Sequence, residues 1–224
     1  EGMHDSYVPL DPPNRLPIPL VKPEDRIGTP YIPCDLCKVA AVVPCDITDK
    51  TRSLGAIDDE AKAMGENLVA FFKQEVAERR LPKNLLPLQS GVGSVANAVI
   101  NGLVNSDFED LTVFTEVIQD GMFDLIDAGK LRVCSGTALS PSPDCLKKFY
   151  ANVEKYKKYI VLRPQEVANS PELARRIGVI AMNTAIEVDI YGNVNSTHIA
   201  GTKLMNGIGG SGDYARNGFL TVFF

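Results

Sequence analysis

Between Lys38 and Gly178, short apolar runs alternate with stretches whose apolar residues recur at helical spacing. "KVAAVVPC" reads as a buried strand, and Asp58 caps a helix reaching Arg80 with Leu68, Val69, Phe72 and Val76 as its apolar stripe. A short connection through "LPKNLLPLQSG" leads to a helix over Ser94 to Val104. "LTVFTEV" follows as strand, "DGMFDLIDAGK" as a helix closed by Gly129 and Lys130, and "LRVCSGTA" as strand. "SPDCLKKFYANVEKY" reads as helix, "YIVLRP" as strand, and "SPELARRIG" as a short helix capped by Ser170 with Pro171 at its first position. Strands joined through helices run parallel, and a parallel sheet needs both faces covered. The predicted fold class is therefore α/β, an open and mostly parallel sheet flanked by helices.

The two ends depart from this pattern. Residues 1–33 carry most of the proline-rich character, which sustains neither helix nor central strand and predicts an extended arm or inter-domain linker ahead of an α/β domain over 34–224. "VIAMNTAIEVDIYGNVNSTHIAG" alternates like a two-stranded ribbon around Tyr191-Gly192-Asn193, a Gly-rich loop follows, and the chain closes on the apolar run "FLTVFF". A strand there with an uncovered edge suggests a domain incomplete at its C-terminus, and the start on Glu1 instead of Met suggests a processed or excised piece.

A net charge of −5 and the absence of a Lys/Arg block argue against a nucleic-acid partner, whose phosphates need clustered positive charge. No apolar run reaches the length of a membrane span, so no membrane partner is expected. The five cysteines, Cys34, Cys37, Cys45, Cys134 and Cys145, are odd in number and dispersed, which fits free thiols in a reducing compartment. Cys34 and Cys37 form a C-x-x-C, but the second ligand pair of a zinc site is missing and the histidines are His4 and His198, so no metal is expected.

Two glycine-rich segments invite a ligand. "LQSGVGSVANAV" sets Gly91 and Gly93 around Val92 just before a helix, where unpaired N–H groups receive negative charge. "GIGGSG" fits G-x-G-x-x-G through Gly207, Gly209 and Gly212, but a ribbon precedes it and no acidic partner follows some twenty residues on, so a plain turn competes with a dinucleotide site. Glu116 stands near the end of an apolar strand, where a solvated surface acid is the ordinary reading and a nucleophile the alternative. Glu166, Glu187 and Asp189 compete with it, and periodicity does not choose among them.

The segments "PLQSGVGSVANAVINGL", "FTEVIQDGMFDLIDAGK", "VLRPQEVANSP", "IEVDIYGNVNSTHI" and "NGIGGSGDYARNG" occur in order. Together they closely resemble the acetyl-CoA hydrolase/transferase family, class I CoA-transferases that include succinyl-CoA:acetate CoA-transferase. The resemblance runs from about residue 34 onward and implies an acyl-CoA-handling enzyme with coenzyme A as substrate, no tightly bound cofactor, and small carboxylates as the other partners. It implies that Glu116 is the catalytic carboxylate, that the backbone amides of Val92 and Gly210 form an oxyanion hole, and that Asn169 is an active-site asparagine. Gly91, Gly93, Gly207 and Gly209 would then shape the CoA-binding loops. Lys50 falls where some relatives carry a basic residue near the nucleotide end of CoA, against the ordinary reading of a solvated lysine.

The resemblance further implies a longer protein of roughly twice this length, a homodimer, and a fungal member located in mitochondria, or in the cytoplasm if bacterial. On that reading this chain by itself turns over weakly or not at all, because parts of both substrate pockets lie elsewhere. A nicotinamide-dependent oxidoreductase using "GIGGSG" and a non-catalytic fragment are the rival readings.

Overall fold

In the computed structural model, which describes residues 2–47, 49, 51 and 57–224, α1 (Asp59–Ala77) begins where Asp58 accepts a hydrogen bond from the Ala61 N–H at 2.8 Å. β1 (Leu88–Ser90), α2 (Ser94–Val104), β2 (Leu111–Phe114), β3 (Val117–Ile118), α3 (Asp120–Asp127), β4 (Leu131–Gly136) and β5 (Ala138–Leu139) follow. α4 (Pro143–Ala151) is capped by Ser142 and leads through α5 (Val153–Tyr156) to β6 (Ile160–Leu162). After α6 (Gln165–Ala168), Ser170 caps α7 (Pro171–Ile177), which ends on Gly178 in the left-handed conformation. The last elements are β7 (Ile180–Asn183), β8 (Glu187–Val188), β9 (Val194–Asn195), β10 (His198–Ile199), β11 (Lys203–Leu204), α8 (Ser211–Ala215) and β12 (Leu220–Phe223).

Six strands form one sheet in the order β12-β7-β1-β2-β4-β6, and every pairing in it is parallel. Strand alternation sends Val113 and Ile180 into a core with Leu68 and Phe72 of α1, Ile100 and Leu103 of α2, and Met122 and Phe123 of α3. Their neighbours Phe114 and Ala181 face the other side, against Val167 of α6, Leu173 of α7, Tyr214 of α8, and Ile18 and Leu20 of the N-terminal segment. The result is the expected open parallel sheet covered on both faces.

Residues 2–33 contain no helix or named strand; Met3 joins the first core and His4 bridges Leu162 at the β6 edge, while Ile18 and Leu20 lie against the second face. Asp5 and Arg163 form a fully buried ion pair. The Arg163 guanidinium also donates to Ser135 Oγ at 2.8 Å and to the Pro23 carbonyl at 2.9 Å, while Asp5 accepts from the Ile27 and Gly28 N–H groups.

Several expectations need correction. The predicted strand over Lys38–Cys45 does not form: Leu36–Lys38 is a turn of 3₁₀ helix and the residues after it are exposed, Val42 at 82%. An apolar run becomes a strand only by pairing, and the sheet draws its strands from elsewhere. One of them, β1, comes from the stretch taken as a plain connection. "LTVFTEV" and "LRVCSGTA" each break in two, so that β3 and β5 pair as a small parallel extension beyond β2 and β4. The expected ribbon is shorter than its alternation implied, since Ile180–Asn183 joins the main sheet and only β8 and β9 pair across the Tyr191-Gly192-Asn193 turn. Lys50 lies outside the described residues.

The strand order places a reversal between β1 and β7: the chain builds outward from β1 through β2, β4 and β6, then returns to β7 and β12 on the other side. In open parallel sheets such a reversal opens a crevice beyond the carboxyl ends of the strands, where ligands bind.

Candidate active site

A cleft of about 640 Å³ occupies that position. Its walls are the loop after β1 with the start of α2 (Gly91 to Val95), the end of β7 with the loop after it (Asn183 to Ile186) and the glycine loop Gly207–Gly210 before α8, with Glu116 and Tyr214 also lining it.

Glu116 reaches the cleft because β2 stops short of it. The Thr115 N–H still bonds to the Ser135 carbonyl at 2.9 Å, but the Glu116 carbonyl is taken by the Thr137 N–H at 2.7 Å, where both strands break. The half-buried carboxylate therefore sits in the gap between β2 and β3, at the carboxyl end of a central strand. Asn169 Nδ2 donates to its Oε2 at 2.8 Å, leaving Oε1 without a partner among the described residues. Asn169 is buried at the end of α6, and its own Oδ1 accepts no hydrogen bond among those residues. Tyr214 supports this corner from below by donating its hydroxyl to the Ala168 carbonyl at 2.6 Å. Burial first, and the neighbouring Glu116 charge second, push the Tyr214 phenol well above its ordinary range, so it stays a donor.

Gly210 lies against the same pair: a Cβ placed on it would overlap both Glu116 Oε2 and Asn169 Nδ2. Gly93 has φ 135° and ψ 179°, a region open to glycine alone, and it ends the loop whose tip is the exposed Val92. The Val92 N–H has no acceptor among the described residues. Glu116, Asn169 and Gly210 are thus in direct contact, while Gly91, Val92, Gly93, Gly207 and Gly209 line the same cleft. The competing acids stand elsewhere. Glu187 accepts from the Ala200 N–H at 2.7 Å, Asp189 closes the Tyr191–Asn193 turn, and Glu166 is exposed on α6.

The residues missed by sequence reasoning are buried amides. Gln89 and Asn183 exchange side-chain hydrogen bonds of 3.1 and 2.9 Å between adjacent strands at the cleft floor, and Gln119 braces the β1 loop. Polar residues inside apolar runs are their only signal. Among the described residues no group of three or more His, Cys, Asp or Glu side chains is placed to hold a metal ion, and no helix is long and apolar enough to cross a membrane. Burial pushes the thiols of Cys134 and Cys145 up, the latter to about 12, so neither is a ready nucleophile. "GIGGSG" follows the short β11, outside the main sheet, and precedes a helix of five residues, unlike the strand, turn and long helix that cradle a pyrophosphate.

A carboxylate with one oxygen held and the other free lies between two glycine loops at the carboxyl edge of a parallel sheet, in an α/β fold consistent with CoA-transferase-like architecture. The profile of the acetyl-CoA hydrolase/transferase C-terminal domain matches residues 146–222. Succinyl-CoA:acetate CoA-transferase from Clostridium kluyveri is 56% identical over 223 residues, covering 100% of this chain and 41% of the relative. An acetyl-CoA hydrolase from Schizosaccharomyces pombe is 48% identical over 222 residues, covering 99% of this chain and 43% of the relative. The chain belongs to the acetyl-CoA hydrolase/transferase family, and it spans less than half the length of these relatives. RipA from Yersinia pestis shares the fold, with a TM-score of 0.66 at 20% identity over 85% of this chain and 41% of the other.

Proposed function

We propose that this chain carries the nucleophile of an enzyme that moves coenzyme A between short carboxylates, succinyl-CoA or acetyl-CoA serving as donor and acetate as acceptor, with hydrolysis of acetyl-CoA as a main or side activity. The observation that carries the reading is the Asn169-to-Glu116 hydrogen bond beside Gly210 at the cleft floor.

The free Glu116 oxygen attacks the thioester carbonyl carbon, and the carbon–sulfur bond breaks to release CoA thiolate and leave an acyl-glutamyl anhydride. The thiolate returns to the glutamyl carbonyl carbon and expels the donor carboxylate, forming a glutamyl-CoA thioester. An acceptor carboxylate then reverses both steps and leaves as the new acyl-CoA. Backbone N–H groups of Val92 and Gly210 receive the tetrahedral oxyanion, each worth roughly 3 kcal/mol in acyl-transfer sites. Asn169 fixes one carboxylate oxygen so that the other is presented to substrate. Water entering at the anhydride or thioester diverts the reaction to hydrolysis, so water access sets the balance between the two activities.

A homodimer is the expected assembly of the whole protein. The relatives are both bacterial and fungal, which accords with a mitochondrial as well as a cytoplasmic location for the whole protein. The test of the reading is replacement of Glu116 by Gln. The variant is expected to keep its melting temperature and lose transfer by 10³-fold or more, as loss of a covalent nucleophile does. Turnover within tenfold of wild type would remove Glu116 from the chemistry.

A further inference from the structure

Gln119 is 1% exposed, does not line the cleft, and stands between β3 and α3 as the residue preceding the helix. Its side chain nevertheless spans the Gly91–Gly93 loop. Nε2 donates to the Gly91 carbonyl at 2.9 Å, and Oε1 accepts from the Gly93 N–H at 3.2 Å. Both assignments are forced, since only the amide nitrogen can donate to a carbonyl and only the amide oxygen can accept from an N–H.

The Gly91 carbonyl and the Val92 N–H belong to one planar trans peptide, in which C=O and N–H point in opposite directions. Holding the carbonyl against buried Gln119 therefore aims the Val92 N–H the other way. Gly91 on its N-terminal side leaves this peptide freer to rotate than a substituted residue would, and a half-turn would present a carbonyl oxygen where a developing oxyanion needs a donor. Gly91 N–H is separately anchored to the Met182 carbonyl at 2.8 Å and Ser90 Oγ also donates to the Gly91 carbonyl at 3.2 Å, so Gln119 acts on the two peptide units on either side of Val92.

We propose that Gln119 is a positioning residue that sets the orientation of the Val92 amide donor, acting on the reaction through that peptide and not by touching substrate. The proposal rests on the reading of the cleft as an acyl-transfer site with Glu116 as nucleophile.

The test compares Gln119→Met, which keeps the volume and removes both hydrogen bonds, with Gln119→Glu, in transfer from succinyl-CoA to acetate by the protein. Gln119→Met is expected to lower kcat by about 10- to 100-fold, the scale of a misoriented donor, with KM for succinyl-CoA within about threefold. In Gln119→Glu the ionised carboxylate accepts from Gly93 but repels the Gly91 carbonyl. Protonated, it supplies one donor and one acceptor as glutamine does. Its deficit relative to wild type at the same pH is therefore expected to shrink as pH falls, while that of Gln119→Met stays flat. If Gln119→Met does not fold, this pH dependence alone carries the test. Wild-type kcat in Gln119→Met, or a pH-independent deficit in Gln119→Glu, overturns the proposal. If the nucleophile reading is at fault instead, Glu116→Gln remains active.

Discussion

Replacing Gly210 by Ala perturbs the site with one added carbon. Gly210 has φ −93° and ψ −2°, a negative-φ turn conformation that alanine also adopts, so the backbone penalty is small beside the contact. The new methyl, however, overlaps Glu116 Oε2 and Asn169 Nδ2 at once, and these atoms are themselves joined at 2.8 Å. Relieving the overlap requires about 1.4 Å of movement by the carboxylate and the amide, judged against ordinary non-bonded separations of roughly 3.5 Å. A misplacement of that size at a reacting group costs about 10²-fold in rate, or roughly 2.7 kcal/mol in barrier. The lost hydrogen bond to a charged acceptor is the same displacement counted another way. Because the strain falls on side chains facing a cleft, the melting temperature should move by less than about 3 °C. Gly207→Ala, in the same cleft, is the comparison: its added Cβ meets no protein atom within 4 Å and its φ is not positive, so the Glu116–Asn169 pair stays in place and kcat should fall much less than in Gly210→Ala. Steady-state transfer from succinyl-CoA to acetate, measured with both variants beside wild type, decides the matter. Gly210→Ala at wild-type kcat would refute the geometry argued for the Glu116–Asn169 pair.

The buried pair of Asp5 and Arg163 ties the N-terminal segment to the sheet, and Arg163→Met should destabilise the protein by about 3 kcal/mol in urea unfolding, with Asp5→Leu added in the same chain restoring part of the loss. An unchanged midpoint for the single variant would contradict this. Asp127 is opposed by burial, but hydrogen bonds from Lys148, Lys155 and Tyr156 outweigh that and hold its carboxyl below the usual 3.8. A depressed carboxyl stabilises above the unfolded pKa and loses that contribution as pH falls through the folded one. Asp127→Asn should therefore cost about 1 kcal/mol at neutral pH and nothing once the pH lies well below 3.8, as followed by denaturation at several pH values. A cost that is constant down to the lowest pH would exclude the charge as its origin.

The sheet class was legible because each strand of a parallel sheet announces itself as an apolar run between helices with caps. Asp58 and Ser170 both cap where the sequence predicts. Pairing partners were not legible. "KVAAVVPC" and "PLQS" are both short and ambiguous, and only the space between β7 and β2 makes the second a central strand and leaves the first exposed. In the site, periodicity left Glu116 level with Glu166 and Glu187, and family resemblance separated them. The structure adds what neither carries: a strand break that turns Glu116 into the cleft, and long-range amide contacts such as Gln119 to Gly91, separated by 28 positions in the chain. Such contacts leave no local pattern, because the partner groups are backbone atoms that every residue possesses.

A covalent intermediate on Glu116 is the most direct sign of its role as nucleophile. Peptide mass spectrometry of the protein mixed with succinyl-CoA in the absence of acceptor should find coenzyme A on the peptide containing Glu116, and acetate should discharge it as acetyl-CoA. Thioester cleavage with no adduct on that peptide at any time would contradict the reading of Glu116 as the nucleophile.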